Sequence, residues 1–91
     1  MLITLEEAKN YLRVDTASED ALIESLLESA NSICRDVARL KDGEEPDNVP
    51  MMRAAVFYTL AYLYEHREEA DHHGLMITLR SILFSIRESR F

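Results

Sequence analysis

The feature that most constrains the fold is a long apolar segment in the second half of the chain. Twelve of the fourteen residues from Met51 to Tyr64 are apolar or aromatic, and only Arg53 and Thr59 interrupt them. Pro50 precedes this segment, and proline suits the first turn of a helix because its missing N–H would have no partner there. A helix that is apolar on nearly all sides must be covered on more than one side. We therefore expect either a central core helix or a helix covered by neighbouring subunits.

The most regular apolar pattern predicts a long second helix. Ser18 is a suitable N-cap, and Glu19 and Asp20 follow in the first turn, where the helix dipole favours negative charge. Apolar residues then recur at steps of three and four. They are Leu22, Ile23, Leu26, Leu27, Ala30, Ile33, Cys34, Val37 and Ala38. The helix is expected to end before Gly43, in an acidic loop.

Two further helices are predicted near the chain ends. Thr4 and Glu7 have the spacing of a capping box, which predicts a short first helix from Leu5 to Leu12. Near the C-terminus, the residues around Gly74 are expected to break the third helix. A basic, amphipathic fourth helix then follows, in which the apolar residues Leu75, Met76, Leu79, Ile82, Leu83 and Ile86 recur at helical spacing.

The composition supports an all-α fold. Two glycines and two prolines among 91 residues leave few positions for turns, which favours a few long helices over many short strands. The length fits one domain. We therefore predict a single domain over residues 1–91 that contains four helices.

The charge of the chain is uneven and argues against nucleic acid as the main partner. The net charge is −7, whereas duplex binding requires clustered lysine and arginine. Residues 1–50 carry 12 acidic and 5 basic side chains, while residues 51–91 carry 5 of each. Within that half, Gly74 to Phe91 has a net charge of +2. This asymmetry is either a chance property of surface helices or a basis for contact with a neighbour of opposite charge.

The chain is expected to occupy a reducing compartment. Its single cysteine, Cys34, cannot form an internal disulfide. Met1 leads directly into a charged helix start, so no signal peptide is recognised. No apolar segment approaches the roughly 20 residues that cross a bilayer. The sequence therefore predicts a cytosolic protein without membrane contact.

The residues that could carry chemistry are few. His66, Glu69 and His73 would share one face of a continuous helix, with spacing suited to a transition metal, but solvated polar residues at a helix end are the more common explanation. Cys34 lies on an apolar stripe, where a thiol is usually inert. The sequence has no glycine-rich phosphate loop and no CxxC motif. We predict no catalytic residue, no metal and no cofactor.

The tyrosines near the end of the apolar segment allow two interpretations. Tyr58, Tyr62 and Tyr64 could be aromatic residues of the core or its edge. The alternative is that they anchor a protein interface, where tyrosine is enriched because one end of its side chain is apolar and the other tolerates water.

The order of these features resembles the small head–tail connector proteins of tailed bacteriophages and prophages. Residues 2–9 read LITLEEAK, residues 11–15 read YLRVD, and residues 20–27 read DALIESLL. The pair Val49-Pro50, the segment 54–56 and the LYEHRE of residues 63–68 continue the resemblance, which ends with residues 79–87. The chain departs from the family at residues 43–47, where the acidic loop is short, and at residues 71–73, where relatives often carry a longer variable stretch.

This resemblance implies a structural role in the virion. Such proteins form a ring of about twelve copies on the portal vertex, join the portal protein to a stopper or tail-completion protein, and leave a channel for DNA. It implies that the protein is located in the host cytoplasm before assembly and at the head–tail junction of the virion afterwards. It also implies no sequence-specific binding of nucleic acid. An acidic channel wall would repel DNA phosphate and let the genome slide.

The resemblance also nominates contact residues. The side-to-side ring contact is expected on the third helix, at Arg53, Phe57, Tyr58, Tyr62 and Tyr64. In related adaptors the C-terminal segment grips the portal. The candidates for that contact are Leu79, Arg80, Ile82, Leu83, Ile86, Arg87 and Arg90. The alternative hypothesis is a small helical adaptor or regulator that binds a bacterial protein as a dimer.

Overall fold

Four α-helices follow one another along the chain, as the apolar patterns predict. The computed structural model describes residues 2–41, 43–66 and 73–84. The helices are α1 Leu5–Leu12, α2 Asp20–Ala38, α3 Val49–Glu65 and α4 His73–Ile82. The described residues contain no strand. The all-α, four-helix prediction is therefore confirmed.

The first helix begins and ends through local hydrogen bonds. The Thr4 hydroxyl oxygen accepts from the Glu7 N–H at 3.1 Å, and the Glu7 carboxylate accepts from the Thr4 N–H at 3.1 Å. This confirms the capping box. Arg13 ends the helix in the left-handed conformation, with φ of 60°, and the Val14 N–H donates to the Lys9 carbonyl at 2.9 Å.

The predicted Ser18 cap of the second helix is wrong. Helix α2 begins at Asp20, and the residue in the cap position is Glu19, whose side chain makes no capping hydrogen bond. The Ser18 hydroxyl instead pairs with that of Thr16 at 3.0 Å. The Asp20 N–H donates to the Ala17 carbonyl at 3.2 Å, so a turn occupies the position where Ser18 would have capped the helix.

Helix α3 is the central helix of the fold. It contacts α1, α2 and α4, and its contact with α2 is the most extensive of any helix pair. Its buried residues are Met52, Ala55, Val56, Thr59, Leu60 and Leu63. Pro50 lies in its first turn, as expected, and Asn48 caps it by accepting from the Met51 N–H at 3.1 Å. Of the two ways to cover this apolar helix, the structure shows the core helix, although one side of α3 stays exposed.

The break between the third and fourth helices lies earlier than predicted. Helix α3 ends at Glu65, where His66 is the C-cap. Gly74 does not break a helix, because it lies in the first turn of α4 and its carbonyl accepts from the Thr78 hydroxyl at 3.1 Å. Leu75, Leu79 and Leu83 are at most 1% exposed, so this side of α4 seals the core. Ile86 lies outside the described residues.

The loop between α2 and α3 is fastened by one arginine. The Arg35 guanidinium donates to the carbonyl of Lys41 at 2.7 Å and to that of Glu44 at 2.8 Å. Pro46 is buried in the same loop. None of the helices in the described ranges has both the length and the hydropathy needed to span a bilayer.

Candidate interaction surfaces

Arg53 connects α3 to the start of the chain. Its guanidinium donates to the Leu2 carbonyl at 2.5 Å and to the Glu7 carboxylate at 2.6 Å. The hydrogen bond from Arg53 lowers the pKa of Glu7, assisted by the Thr4 N–H, and the same bond raises the pKa of Arg53. This ring-contact candidate therefore already holds α1 against α3.

Phe57 is also engaged within the chain. The Tyr11 ring stacks on it, with ring centroids 4.7 Å apart and an angle of 27° between the planes. Phe57 also makes a cation–π contact, in which the Arg53 guanidinium carbon lies 5.5 Å from the centroid of the Phe57 ring. Tyr11 is 50% exposed and Phe57 is half-buried, so the stack forms part of the molecular surface.

The three tyrosines have different surroundings. The Tyr64 hydroxyl donates to the Glu19 carboxylate at 2.6 Å, which ties the end of α3 to the start of α2. The Tyr62 ring stacks on His66, with centroids 4.3 Å apart, and both residues are half-buried. Tyr58 is 40% exposed. Of the five ring-contact candidates, Tyr58 presents the most side-chain surface to a neighbour.

The portal-contact candidates divide between core and surface. Leu79 and Leu83 are fully buried, Ile82 is half-buried and Arg80 is exposed. Ile86, Arg87 and Arg90 lie outside the described residues. Leu79 and Leu83 are therefore occupied by contacts within the chain, which leaves Ile82 and Arg80 as the accessible members among those the structure describes.

Two exposed residues on the same part of the chain were missed by the sequence pattern. Ile77 is 50% exposed and Phe84 is 57% exposed. They lie two helical turns apart, and both point roughly opposite to Leu75 if each residue advances about 100° around the helix. The signal that could have found them is this i, i+7 spacing of large apolar residues off the buried stripe.

The thiol of Cys34 lies in the core and contacts a buried hydroxyl group. Cys34 is fully buried, and its Sγ lies 3.3 Å from the Thr59 hydroxyl, which donates to the Ala55 carbonyl at 2.9 Å. Burial raises the pKa of Cys34 to about 11, so the thiol is protonated and unreactive at neutral pH. This placement confirms the prediction that Cys34 lies in the core.

The histidine cluster considered as a metal site is not assembled on one helix. His66 caps α3, and its Nδ1 lies 3.0 Å from the Tyr62 carbonyl oxygen, whereas His73 begins α4. Glu69 lies outside the described residues. Within the described ranges, no three histidine, cysteine or acidic side chains are grouped in a way that could hold a metal ion.

Comparison with protein families gives one match. The model of the family described as phage gp6-like head-tail connector protein matches residues 2–89. Neither a curated protein nor a solved structure matches the chain. The family match covers all four helices, and the family is the one that the resemblance suggested.

Proposed function

The chain belongs to the phage gp6-like head-tail connector family, and on that premise we propose that it forms a ring between the portal vertex and the tail. The family is one of structural phage proteins and not of enzymes, and its members connect head and tail through contacts with other virion proteins. The match over residues 2–89 is the observation that carries this proposal. The finer architecture of ring, portal contact and DNA channel rests on the properties that the family resemblance implies.

The described surface is suited to binding other proteins. Large apolar side chains remain exposed on α3, at Val49 and Tyr58, and on or just after α4, at Ile77 and Phe84. Exposed apolar patches commonly mark interaction sites. The inferred ring would cover such side chains with neighbouring subunits, and heterologous contacts close into rings when the rotation permits.

We place the portal contact at the C-terminal end of the chain. Leu79 and Leu83 hold α4 in the core, so the contact would use half-buried Ile82 together with Ile86, Arg87 and Arg90, which follow it in the sequence. Arg87 and Arg90 are the basic residues of this set, and their positive charge would favour an acidic portal surface.

The charge of the chain supports an acidic channel wall as part of this proposal. The net charge of −7 would give a ring of about twelve copies a strongly negative surface. A negative wall repels the DNA backbone and so leaves the genome unbound during its passage.

The experiment that tests the proposal combines the purified chain with portal rings of the same phage. We expect electron micrographs of a second ring seated on the portal, together with a co-eluting complex in size-exclusion chromatography with light scattering. Replacing Arg87 and Arg90 by glutamine should weaken the complex, while Glu24→Gln on the exposed side of α2 should leave it unchanged. A chain that forms only dimers and never binds the portal would support the dimeric adaptor instead.

A further inference from the structure

The outward side of α3 is an uncharged stripe that ends in one acidic residue. Pro50, Ala54, Tyr58, Ala61 and Glu65 follow at steps of three and four and therefore lie on one face of the helix. All are exposed except Ala61, which is half-buried. The two alanines leave shallow space on either side of the Tyr58 ring, and the first four residues carry no charge. We call these five residues the α3 stripe.

The outward side of α4 has the complementary character. Ile77 and Phe84 are its large apolar side chains, and exposed Arg80 and Ser81 lie between them. The Leu83 N–H donates to the Leu79 carbonyl at 2.9 Å, so the helical path continues past Ile82 towards Phe84. We call Ile77, Arg80, Ser81 and Phe84 the α4 face.

The two surfaces carry opposite charges that have no ion-pair partner within the described part of the chain. Glu65 is exposed at the end of the α3 stripe, and Arg80 is exposed in the middle of the α4 face. Lys9 forms an ion pair with Asp20 and Arg53 forms one with Glu7, and neither pair uses Glu65 or Arg80. Each surface therefore combines exposed apolar area with one charge that the other surface could neutralise.

We propose that the α4 face of one copy of the chain packs on the α3 stripe of the next copy, with Arg80 paired to Glu65. The ridge formed by Ile77 and Phe84 fits beside Tyr58, in the space above Ala54 and Ala61, as ridges pack into grooves between helices. This inference rests on the proposed ring and names the surfaces that form its repeated contact.

The chemistry of the surfaces favours a heterologous contact over a two-fold dimer. A two-fold contact through the α4 face would bring Arg80 near its own copy, and one through the α3 stripe would do the same with Glu65. Where each contact uses one α3 stripe and one α4 face, every subunit keeps one of each available, and the contact repeats until a ring closes.

Cysteine cross-linking in purified phage particles tests this arrangement. Ala61→Cys and Ser81→Cys place one thiol on each surface and leave Tyr58, Ile77 and Phe84 in place. Cys34 is buried, with a thiol pKa raised to about 11, so the unaltered chain provides an unreactive baseline for a short bismaleimide. The matched control pairs Ser81→Cys with Ser29→Cys, which lies at an exposed position of α2.

The double variant should give a ladder of covalent dimers, trimers and larger species. Each single variant and the Ser29 control should remain monomeric on a denaturing gel. Particles that contain the double variant but show no ladder would overturn the inference, and so would dimers from either single variant, since those indicate a two-fold contact. A chain that never enters particles would instead refute the proposed function.

Charge reversal gives a second measurement on the same contact. Arg80→Glu and Glu65→Arg should each weaken self-association by about three- to tenfold in sedimentation at high protein concentration or on portal rings. The combined variant should recover most of the loss, because it restores opposite charges. If the combined variant is as weak as either single variant, or if neither single variant has an effect, the proposed pairing of Arg80 with Glu65 is wrong.

Discussion

The two sides of α4 differ in how their apolar residues are used. Leu75, Leu79 and Leu83 on the inner side are at most 1% exposed, whereas Ile77 and Phe84 on the outer side are 50% and 57% exposed. Both sides are rich in large aliphatic or aromatic groups. The inner side holds the helix in the fold, and the outer side is available to another molecule. Residue type alone therefore does not tell which apolar positions serve an interface.

Helix α3 shows the same difference among polar and aromatic residues. Arg53 and Tyr64 look like interface anchors in the sequence, but their polar atoms are bound to Glu7 and Glu19 of the same chain. Tyr58 lies on the same helix and remains 40% exposed. Four substitutions test this contrast between engaged and exposed side chains.

The largest effect is expected from Leu79→Ala. The substitution leaves a cavity among fully buried groups and should lower the free energy of unfolding by about 2–5 kcal/mol in urea titrations followed by circular dichroism. Ile77→Ala, about half a turn away on the outer side of α4, should change the free energy of unfolding by less than about 0.5 kcal/mol. Equal losses in the two variants would show that the two sides of α4 do not differ as described.

A smaller loss is expected from Tyr64→Phe. The change removes the 2.6 Å hydrogen bond to the Glu19 carboxylate that joins α3 to the start of α2, and should cost about 0.5–1.5 kcal/mol. Tyr58→Phe is the matched control, because it removes the same hydroxyl from an exposed ring of the same helix. If both variants have the stability of the original chain, the Tyr64 bond does not hold the helices together.

The ion pair between Glu7 and Arg53 should give a modest, pH-dependent contribution. The folded-state pKa of Glu7 lies below its ordinary value of 4.5, so its stabilising effect is fully present above that value and is lost as the pH falls through the lowered folded pKa. Glu7→Gln should therefore be less stable than the original chain near neutral pH, and the difference should shrink on acidification below 4.5. Glu6→Gln, at the exposed neighbouring position, should show no such trend. A gap that stays constant with pH would rule out this ion pair as its source.

The smallest effect on stability is expected from Phe84→Ser. Its ring is 57% exposed, so the free energy of unfolding should change by less than about 0.5 kcal/mol. Self-association or assembly on the portal should nevertheless weaken, because the substitution removes the largest apolar group of the α4 face. A variant that assembles like the original chain would remove Phe84 from the contact.

Local signals in the sequence predicted much of the fold. The capping box at Thr4 and Glu7 predicted the start of α1 correctly, because both partners lie within one helical turn. The wrong N-cap at Ser18 has a different cause. The Ser18 hydroxyl pairs with that of Thr16. The Tyr64 hydroxyl, from the far end of α3, donates to Glu19. The residues at the start of α2 therefore include a partner of a side chain 45 residues away, which a local pattern does not contain.

The candidate surfaces were harder to predict than the helices. Glycine suggested a break at Gly74, but a first helical turn tolerates glycine because its cost there is small compared with tertiary packing. The exposed pair Ile77 and Phe84 was missed because the period of the buried leucines dominates the same segment. Which apolar residues stay exposed depends on how α2 and α3 pack against α4. The apolar pattern of the α4 segment alone does not contain that information.

The outer sides of α3 and α4 should be covered in the virion. Hydroxyl-radical footprinting of the chain, alone and in purified phage particles, measures this directly without any substitution. Tyr58, Ile77 and Phe84 should be strongly protected in particles, while Tyr11, whose ring already packs on Phe57, should change little. Equal oxidation of Tyr58, Ile77 and Phe84 in the two samples would show that these sides are not covered.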